Sequence, residues 1–328
     1  MVTLTEGQKA TLSSQAIEFL TNVRHVPFAD MLANYFTSPC RIPNMREGMS
    51  EKMAPGEEAL IMKHSLHIKN VKIAGIPVVL IQPDHIKPEK EDKILINAYG
   101  GAFVMGSARD RAALIMAAEL GVRVYSVDYT KSPEAKYPVA RDQVLDVYRE
   151  LIKNGPPGSS SPIDPKNIYA MGSSAGAQLV VSALLMASKE GLPLPTAGIY
   201  LCTPAVDFTG GGDSLTANAH DRDVMPVSLL VGMVSQNYIP KGQDPKDPLL
   251  SPVYANYGAS FPRTVITVGT RDFALSNGVR MYWKLRDAGV ETELLVSDGM
   301  WHGFNWEEDM PEAIQARAAV VKFLEHAS

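Results

Sequence analysis

Cysteine is scarce in this chain of 328 residues, and neither sign of charge dominates it. Cys40 and Cys202 stand far apart and form neither a CxxC pair nor a disulfide framework, which favours a reducing, cytoplasmic location. Lys and Arg number 31 against 36 Asp and Glu, a net charge of −5 without a basic block, so nucleic-acid binding has no electrostatic basis. The apolar stretch at 179–186 is far shorter than the ~20 residues that cross a bilayer. Residues 1–20 lack a secretory-signal pattern, so we expect neither a membrane span nor export.

Apolar residues make up 45% of the chain and charged residues 20%, which is enough for a sizeable core. From residue 65 onward, strand patterns alternate with helix patterns. The strand patterns lie at 65–84, 93–99, 122–129, 167–173, 197–207, 264–272 and 291–299, and the helix patterns at 107–120, 139–154, 175–191, 277–289 and 311–326. This alternation predicts an α/β fold with a mostly parallel central sheet flanked by helices.

Two segments depart from this alternation. Residues 1–50 carry helical patterns interrupted by prolines, and residues 208–243 insert a helix between two strands without adding a strand. We interpret both as one helical cap over an end of the sheet, on a catalytic core formed by 51–207 and 244–328. The length of the chain therefore indicates one capped unit, although ~150 residues per domain would suggest two domains.

A serine lies at a sharp transition from strand to helix. The strand pattern that ends at Ser173 leads into Gly172-Ser173-Ser174-Ala175-Gly176, and a helix pattern begins at once. A GxSxG match alone is weak, since chance produces it in roughly one in ten chains of this length. Its position between a strand and a helix favours a nucleophile elbow, which exposes the Ser174 hydroxyl near a helix N-terminus.

A nucleophilic serine needs a base and a group that orients the base. His302 follows the last strand pattern, whereas the other six histidines do not follow a strand behind the serine. Asp272 ends the strand pattern at 264–272, which produces the chain order serine, aspartate, histidine of the α/β-hydrolase fold. Asp207 ends an earlier strand and is the rival acid, and Asp298 is disfavoured because it is too near His302 in sequence.

The segment after the strand at 93–98 predicts an oxyanion hole. Tyr99-Gly100-Gly101-Ala102-Phe103 contains small residues that let backbone N–H groups approach a substrate. We expect the donors to be Gly100, Gly101 and Ala102, together with Ala175. A nucleotide-binding turn is the alternative, but neither G-x-G-x-x-G nor a Gly-Lys-Ser/Thr motif is present. The sequence predicts no cofactor and no metal site.

Five segments resemble the hormone-sensitive-lipase family of α/β-hydrolases, in the same order along the chain. Residues 99–103 resemble its HGGGF loop, 128–138 its DYRLAPE…FP segment and 172–176 its GDSAGG elbow. Residues 244–252 resemble the stretch before its acid strand, and 299–304 its GM-x-H-x-F box. The resemblance implies a helical cap of the kind inferred above and a serine esterase without a cofactor.

The family pattern is altered at three positions. Tyr99 replaces the histidine that is thought to brace the loop, Ala102 replaces the third glycine, and Ser173 replaces the aspartate before the nucleophile. An alanine still offers its N–H group, so the resemblance still implies catalysis. The packing of the loop, and with it the acyl pocket, is expected to differ.

The resemblance implies hydrolysis of small to medium carboxylic esters through an acyl-enzyme. A lactonase, or a specialised deacylase of a natural-product or xenobiotic ester, is the alternative, and a non-catalytic small-molecule receptor is a remote one. Relatives often pair through the last strand, so a homodimer stays open. Six cap residues are candidates to line the substrate pocket: Phe28, Met31, Tyr35, Leu230, Met233 and Tyr238.

Overall fold

A central sheet of eight strands runs through the part of the chain that this computed structural model describes, which is residues 2, 4–23, 30–159, 161–219 and 222–326. The strands are β1 (Leu66–Ile73), β2 (Ile76–Pro83), β3 (Ile94–Ala98), β4 (Arg123–Val127), β5 (Ile168–Ser173), β6 (Gly198–Cys202), β7 (Thr264–Gly269) and β8 (Thr292–Ser297). Their order in the sheet is β1-β2-β4-β3-β5-β6-β7-β8. β2 pairs antiparallel with β1 and with β4, and the other neighbours pair in parallel. The predicted α/β fold with a mostly parallel sheet is confirmed.

Helices precede the sheet and alternate with its strands. They are α1 (Glu6–Lys9), α2 (Ser14–Asn22), α3 (Asp30–Phe36), α4 (Ile42–Lys63), α5 (Arg111–Leu120), α6 (Val139–Asn154), α7 (Ala175–Lys189), α8 (Asp213–Ala217), α9 (Val227–Met233), α10 (Leu275–Asp287) and α11 (Pro311–Glu325). Every residue of β3, β5, β6 and β7 is buried. Because successive side chains of a strand point to opposite faces, helices and loops must cover both faces of the sheet here.

The parallel strands end at one edge of the sheet, and their following loops meet there. The loops after β3, β5, β7 and β8 carry the segments in which the sequence predicts functional residues. In open parallel sheets this edge is where ligands bind. The topology therefore brings together residues that are more than one hundred positions apart in the chain.

The helix α4 runs through residue 50, where the sequence analysis ends the first cap segment. The prolines that interrupt the helical patterns have different effects here. Pro43 lies in the first turn of α4, where its missing N–H has no intrahelical partner, while Pro55 lies inside the helix. Only Ile42 and Leu60 of this helix are buried, so the exposed stretch between them has little apolar pattern to mark it.

The two segments that the sequence analysis predicts to form a cap pack on the loop that follows β3. Ile42 at the start of α4 and Met233 at the end of α9 are buried in one cluster with Ala102, Val104 and Met105. The helices α3 and α9 also contact each other. The two segments that the sequence analysis assigns to a cap therefore meet above the predicted oxyanion loop.

The N-terminal segment packs under the loop that carries His302. Ala16 and Leu20 of α2 are buried against a cluster that contains Met300 and Trp301. Phe19 stacks on Trp301 with ring centroids 4.3 Å apart and planes 1° apart. Among the helices of the described ranges, none is both long enough and apolar enough to span a membrane.

Candidate active site

The nucleophile elbow forms at the junction of β5 and α7. Ser174 lies between them with φ 51° and ψ −116°, a left-handed φ that is unfavourable for a residue with a Cβ. Gly176 is required there, because a Cβ atom at this position would lie 1.9 Å from the carbonyl oxygen of Ala98. A Cβ at Gly172 would similarly lie 2.4 Å from the Cα of Ala177. The close approach of β3, β5 and α7 thus holds Ser174 in its strained turn.

Hydrogen bonds join the serine, the histidine and the aspartate. His302 Nε2 lies 2.9 Å from Ser174 Oγ, and His302 Nδ1 lies 2.8 Å from Asp272 Oδ1. The backbone N–H of Ala274 also donates to Asp272 Oδ1, at 2.7 Å. All three side chains are buried, with Ser174 the most exposed at 8%. The structure therefore brings together the three residues that the sequence analysis selects, in the order needed for proton transfer.

The environment of His302 favours its charged form. Burial alone lowers its pKa, but the charge of Asp272, the hydrogen bond to Asp272 and the charge of Asp223 together raise the pKa above its ordinary value. Phe273 stacks on the imidazole with centroids 4.3 Å apart, and the edge of Trp306 faces it at 6.2 Å. These contacts fix the ring between the serine and the acid.

The two rival acids lie elsewhere. The side chain of Asp207 is buried and forms an ion pair with Arg280, and it accepts hydrogen bonds from the N–H and the hydroxyl of Thr209. Asp298 is exposed and accepts a hydrogen bond from Thr270 Oγ1 at 3.1 Å. Neither carboxylate contacts His302.

The loop after β3 passes close to the serine. A Cβ atom at Gly100 would lie 3.3 Å from Ser174 Cβ, and one at Gly101 would lie 2.5 Å from the carbonyl oxygen of Met105. Gly101 has φ +116° and Ala102 has φ +54°, so only a tight, left-handed loop lets the backbone reach the site. Among the described residues, the N–H groups of Gly101, Ala102 and Ala175 have no hydrogen-bond acceptor, which leaves them free to bind a ligand oxygen.

Tyr99 braces this loop in the position of the family histidine. Its ring is buried and stacks on Tyr129 with centroids 4.3 Å apart. Its hydroxyl donates to Asp128 Oδ1 at 3.2 Å and accepts from Lys131 Nζ at 3.2 Å. In return, the Tyr129 hydroxyl donates to the carbonyl of Tyr99 at 3.0 Å. Burial raises the pKa of the Tyr99 phenol well above its ordinary value, so it stays a neutral donor.

Trp306 connects the elbow with the histidine loop, a contact that the sequence analysis misses. Its Nε1–H donates to Ser173 Oγ at 3.1 Å, so a neutral hydrogen bond occupies the place of the family aspartate. Its ring packs over Gly303, where a Cβ would lie 2.5 Å from a ring carbon. The only signal in the sequence is its position two residues beyond the motif that contains His302.

A second carboxylate, Asp223, lies beside the histidine and was also missed. It lies between α8 and α9, in a segment predicted to belong to the cap, and is fully buried. One ligand atom each of Asp223, Asp272 and His302 lies within 4.8 Å of the other two, so these residues could be considered for a metal ion. Backbone N–H groups and the Asp272–His302 bond already use these atoms, which favours a hydrogen-bonded cluster. Asp223 follows no strand, so a search of strand ends could not find it.

The predicted pocket-lining residues occupy different environments. Tyr238 is buried and stacks on Phe103 with centroids 3.6 Å apart. Met233 is buried, Leu230 is half-buried and Tyr35 is exposed. Phe28 and the side chain of Met31 lie outside the described part of the chain.

Comparison with known proteins identifies the family. Residues 95–305 match the profile of a family with the alpha/beta hydrolase fold. The chain belongs to the α/β-hydrolase family. It is 30% identical over 264 residues to an esterase of Acinetobacter venetianus, a match that covers 79% of this chain and 82% of that protein.

Two crystal structures extend this likeness to the whole chain. The structure of the esterase E25 superposes with a TM-score of 0.87 at 28% identity, over 99% of this chain and 97% of that one. A hormone-sensitive lipase from a metagenome library superposes with a TM-score of 0.73 at 25% identity, over 96% and 97% of the two chains. The predicted membership of the hormone-sensitive-lipase family of α/β-hydrolases is confirmed.

Proposed function

We propose that this α/β-hydrolase is a carboxylesterase in which Ser174 is the nucleophile, His302 the general base and acid, and Asp272 the residue that orients the histidine. The observation that carries the proposal is the unbroken chain of hydrogen bonds from Ser174 Oγ through the imidazole to Asp272 Oδ1. The relatives named above are esterases and a lipase, and the predicted class, a carboxylic ester hydrolase, is confirmed. The assignment of roles to the three residues is ours.

The reaction proceeds through an acyl-enzyme. Ser174 Oγ attacks the ester carbonyl carbon while its proton moves to His302 Nε2. The tetrahedral intermediate collapses, the bond to the alcohol oxygen breaks, and Nε2–H returns the proton to the leaving alcohol. Water then repeats the attack, with its proton taken by Nε2, and the acid leaves as the proton passes back to Ser174. Asp272 stabilises the imidazolium in both halves of the reaction.

The N–H groups of Gly101, Ala102 and Ala175 stabilise the oxyanion of the tetrahedral intermediate, with Gly100 holding the loop against the serine. The free donors and the close approach of Gly100 to Ser174 support this assignment. Each donor of this kind contributes about 3 kcal/mol to transition-state binding in other hydrolases. The tight turn at Gly101 keeps the donors in place before the substrate arrives.

Residues 1–50 and 208–243 act as the cap that selects the substrate, on a core of 51–207 and 244–328. Burial of Ile42 and Met233 against the oxyanion loop supports this division. The stacked, buried rings of Phe103 and Tyr238 join the loop after β3 to the second cap segment, and we propose that the site so enclosed accepts small to medium esters.

We also infer a cytoplasmic location and a homodimer. Cys40 is exposed, Cys202 is buried, and both are free thiols, as expected in a reducing compartment. In the described sheet, β8 pairs only with β7, and its Val296 is exposed, so its outer edge is free to pair with a second copy. Light scattering of the purified chain tests the dimer, and cell fractionation tests the location.

Hydrolysis of p-nitrophenyl esters tests the proposed roles. Ser174→Ala is expected to lower kcat at least about 1,000-fold and to abolish labelling by a fluorophosphonate probe. Asp272→Asn is expected to lower kcat by about 10⁴-fold because it disturbs the imidazole tautomer. Asp207→Asn is the matched control: it breaks the ion pair with Arg280 and should lower stability, with kcat within about threefold of wild type.

Three results would contradict the proposal. Full activity of Ser174→Ala would exclude the nucleophile, and a larger loss in Asp207→Asn than in Asp272→Asn would move the acid to the earlier strand. Absence of turnover on any acyl length, together with no probe labelling, would favour a receptor. A panel that includes lactones and bulky alcohol esters separates an esterase from a lactonase.

A further inference from the structure

Asp223 is a cap residue whose carboxylate is enclosed by the two loops that carry Asp272 and His302. Its Oδ2 accepts a hydrogen bond from the N–H of Phe273 at 2.7 Å. Its Oδ1 accepts from the N–H of Met225 at 3.1 Å and from the N–H of His302 at 3.3 Å. One side chain therefore holds the main chain at both predicted catalytic loops.

This clamp acts on the ring of His302 from two sides. Phe273 follows Asp272, and its N–H group donates to Asp223. The Phe273 ring stacks on the imidazole of His302 with centroids 4.3 Å apart. The second clamped group is the main-chain N–H of His302 itself. A shift of Asp223 would therefore move both the ring and the face against which it packs.

Asp223 also adds negative charge to the cluster. One ligand atom each of Asp223, Asp272 and His302 lies within 4.8 Å of the other two. Within the described residues, Asp272 Oδ2 is buried and has no hydrogen-bond partner. Two buried carboxylates beside one imidazole favour its charged form over its neutral form.

We propose that Asp223 is a positioning residue of the hydrolase site, which clamps the loops of Asp272 and His302 and stabilises the imidazolium that forms as Ser174 loses its proton. This inference rests on the proposed function. It adds a second role for the cap: the segment between α8 and α9 covers the site and also supplies a carboxylate that stabilises the charged imidazole.

The charge of Asp223 is present over the working range of a histidine base. Burial and the charge of Asp272 raise the pKa of Asp223 to about 6, against the opposing effects of His302 and of the N–H groups of Phe273 and Met225. Above that pH, Asp223 is ionised and raises the pKa of His302, although burial of the imidazole opposes this effect.

Arg222 precedes Asp223 in sequence and Arg271 precedes Asp272, but neither arginine is among the groups that shift the pKa of His302. Burial and the charge of Arg222 lower the pKa of Arg271, and Asp298 opposes this effect. The charges that act on the pKa of His302 are those of Asp272 and Asp223. A change in the pKa of His302 on substitution of Asp223 therefore reports the loss of the Asp223 charge.

The test is the pH dependence of kcat/KM for a p-nitrophenyl ester, read at the isosbestic wavelength of the product. Asp223→Asn is expected to lower kcat about 10- to 100-fold, with KM within about twofold, because a misplaced base slows the chemical step. The acid limb of kcat/KM should move to lower pH by about 2.5 units, the shift that a charge within 4.8 Å of the imidazole causes at an effective dielectric constant of about 20.

Two variants separate charge from packing. Asp223→Glu keeps the charge and should keep the wild-type acid limb even where kcat falls. Asp298→Asn removes an exposed carboxylate after β8 and should match wild type in kcat and in the acid limb. The inference would be overturned if Asp223→Asn kept the wild-type acid limb, or if its lower kcat/KM came from a higher KM with kcat unchanged.

Two further readouts settle the remaining cases. If Asp223→Asn does not fold, the ¹⁵N-imidazole titrations of His302 in wild type and in Asp223→Glu decide: a pKa above the ordinary value is expected in both, and an ordinary or lowered pKa refutes the inference. If Ser174→Ala and Asp272→Asn lose turnover while Asp223→Asn behaves as wild type, only the role of Asp223 fails. Full turnover by Ser174→Ala would instead remove the proposed function.

Discussion

Asp223→Asn should change how the stability of the protein depends on pH. Burial and the charge of Asp272 raise the pKa of Asp223 from 3.8 to about 6 in the folded state. Between these values the folded protein binds more protons than the unfolded chain, so the free energy of unfolding falls as the pH rises. At about 1.4 kcal/mol per unit, the ionised Asp223 costs about 3 kcal/mol at neutral pH.

The titration of His302 works in the same direction. Its folded-state pKa is raised, so its contribution to stability is present at low pH and is lost as the pH rises through the folded-state value. Asp223→Asn removes the part of this rise that comes from the Asp223 charge. Both effects therefore predict that the variant loses less stability than wild type as the pH rises.

Urea unfolding followed by circular dichroism between pH 4 and pH 7 measures the effect. An asparagine cannot accept every hydrogen bond that Asp223 accepts, so a constant loss of about 1–3 kcal/mol is expected at all pH values. The difference between variant and wild type should nevertheless shift by about 2 kcal/mol in favour of the variant across this range. Parallel curves would refute the reasoning, and the exposed Asp298→Asn should produce such parallel curves.

Two further predictions concern the elbow and its support. Trp306→Phe removes the donor to Ser173 Oγ and should lower kcat several-fold and stability by about 1–2 kcal/mol; a loss of stability with kcat unchanged would exclude a role in holding the elbow. Gly176→Ala places a Cβ 1.9 Å from the carbonyl oxygen of Ala98 and should cost about 3 kcal/mol or more in thermal unfolding. Gly48→Ala, in an open helical position of α4, should instead add about 0.5–1 kcal/mol, and equal effects of the two substitutions would contradict the steric argument.

The local elements follow from the sequence because burial imposes a period on it. The helix pattern at 139–154 coincides with α6, and the strand pattern at 264–272 contains β7. α4 is different: it is largely exposed between Ile42 and Leu60, so its sequence lacks an apolar stripe from which 22 helical residues could be predicted. Propensity and capping alone are weak signals for such a helix.

The candidate triad could be predicted from the sequence because of the topology of the sheet. Parallel strands end at one edge of the sheet, so Ser174, Asp272 and His302 could be selected as residues that follow strands. The same rule could not choose between Asp272 and Asp207, since both follow strands. The tertiary structure separates them: Asp272 bonds to His302, and Asp207 pairs with Arg280.

Only the tertiary structure could reveal the supporting residues. Asp223 lies 79 positions before His302, and Trp306 lies 133 positions after Ser173. Neither contact leaves a local signal, because periodicity reports which face of an element is buried and not which loop packs against which. The sequence was sufficient to predict the sheet, the elbow and the family. The packing of the segment between α8 and α9 against two loops places a second buried carboxylate beside the histidine.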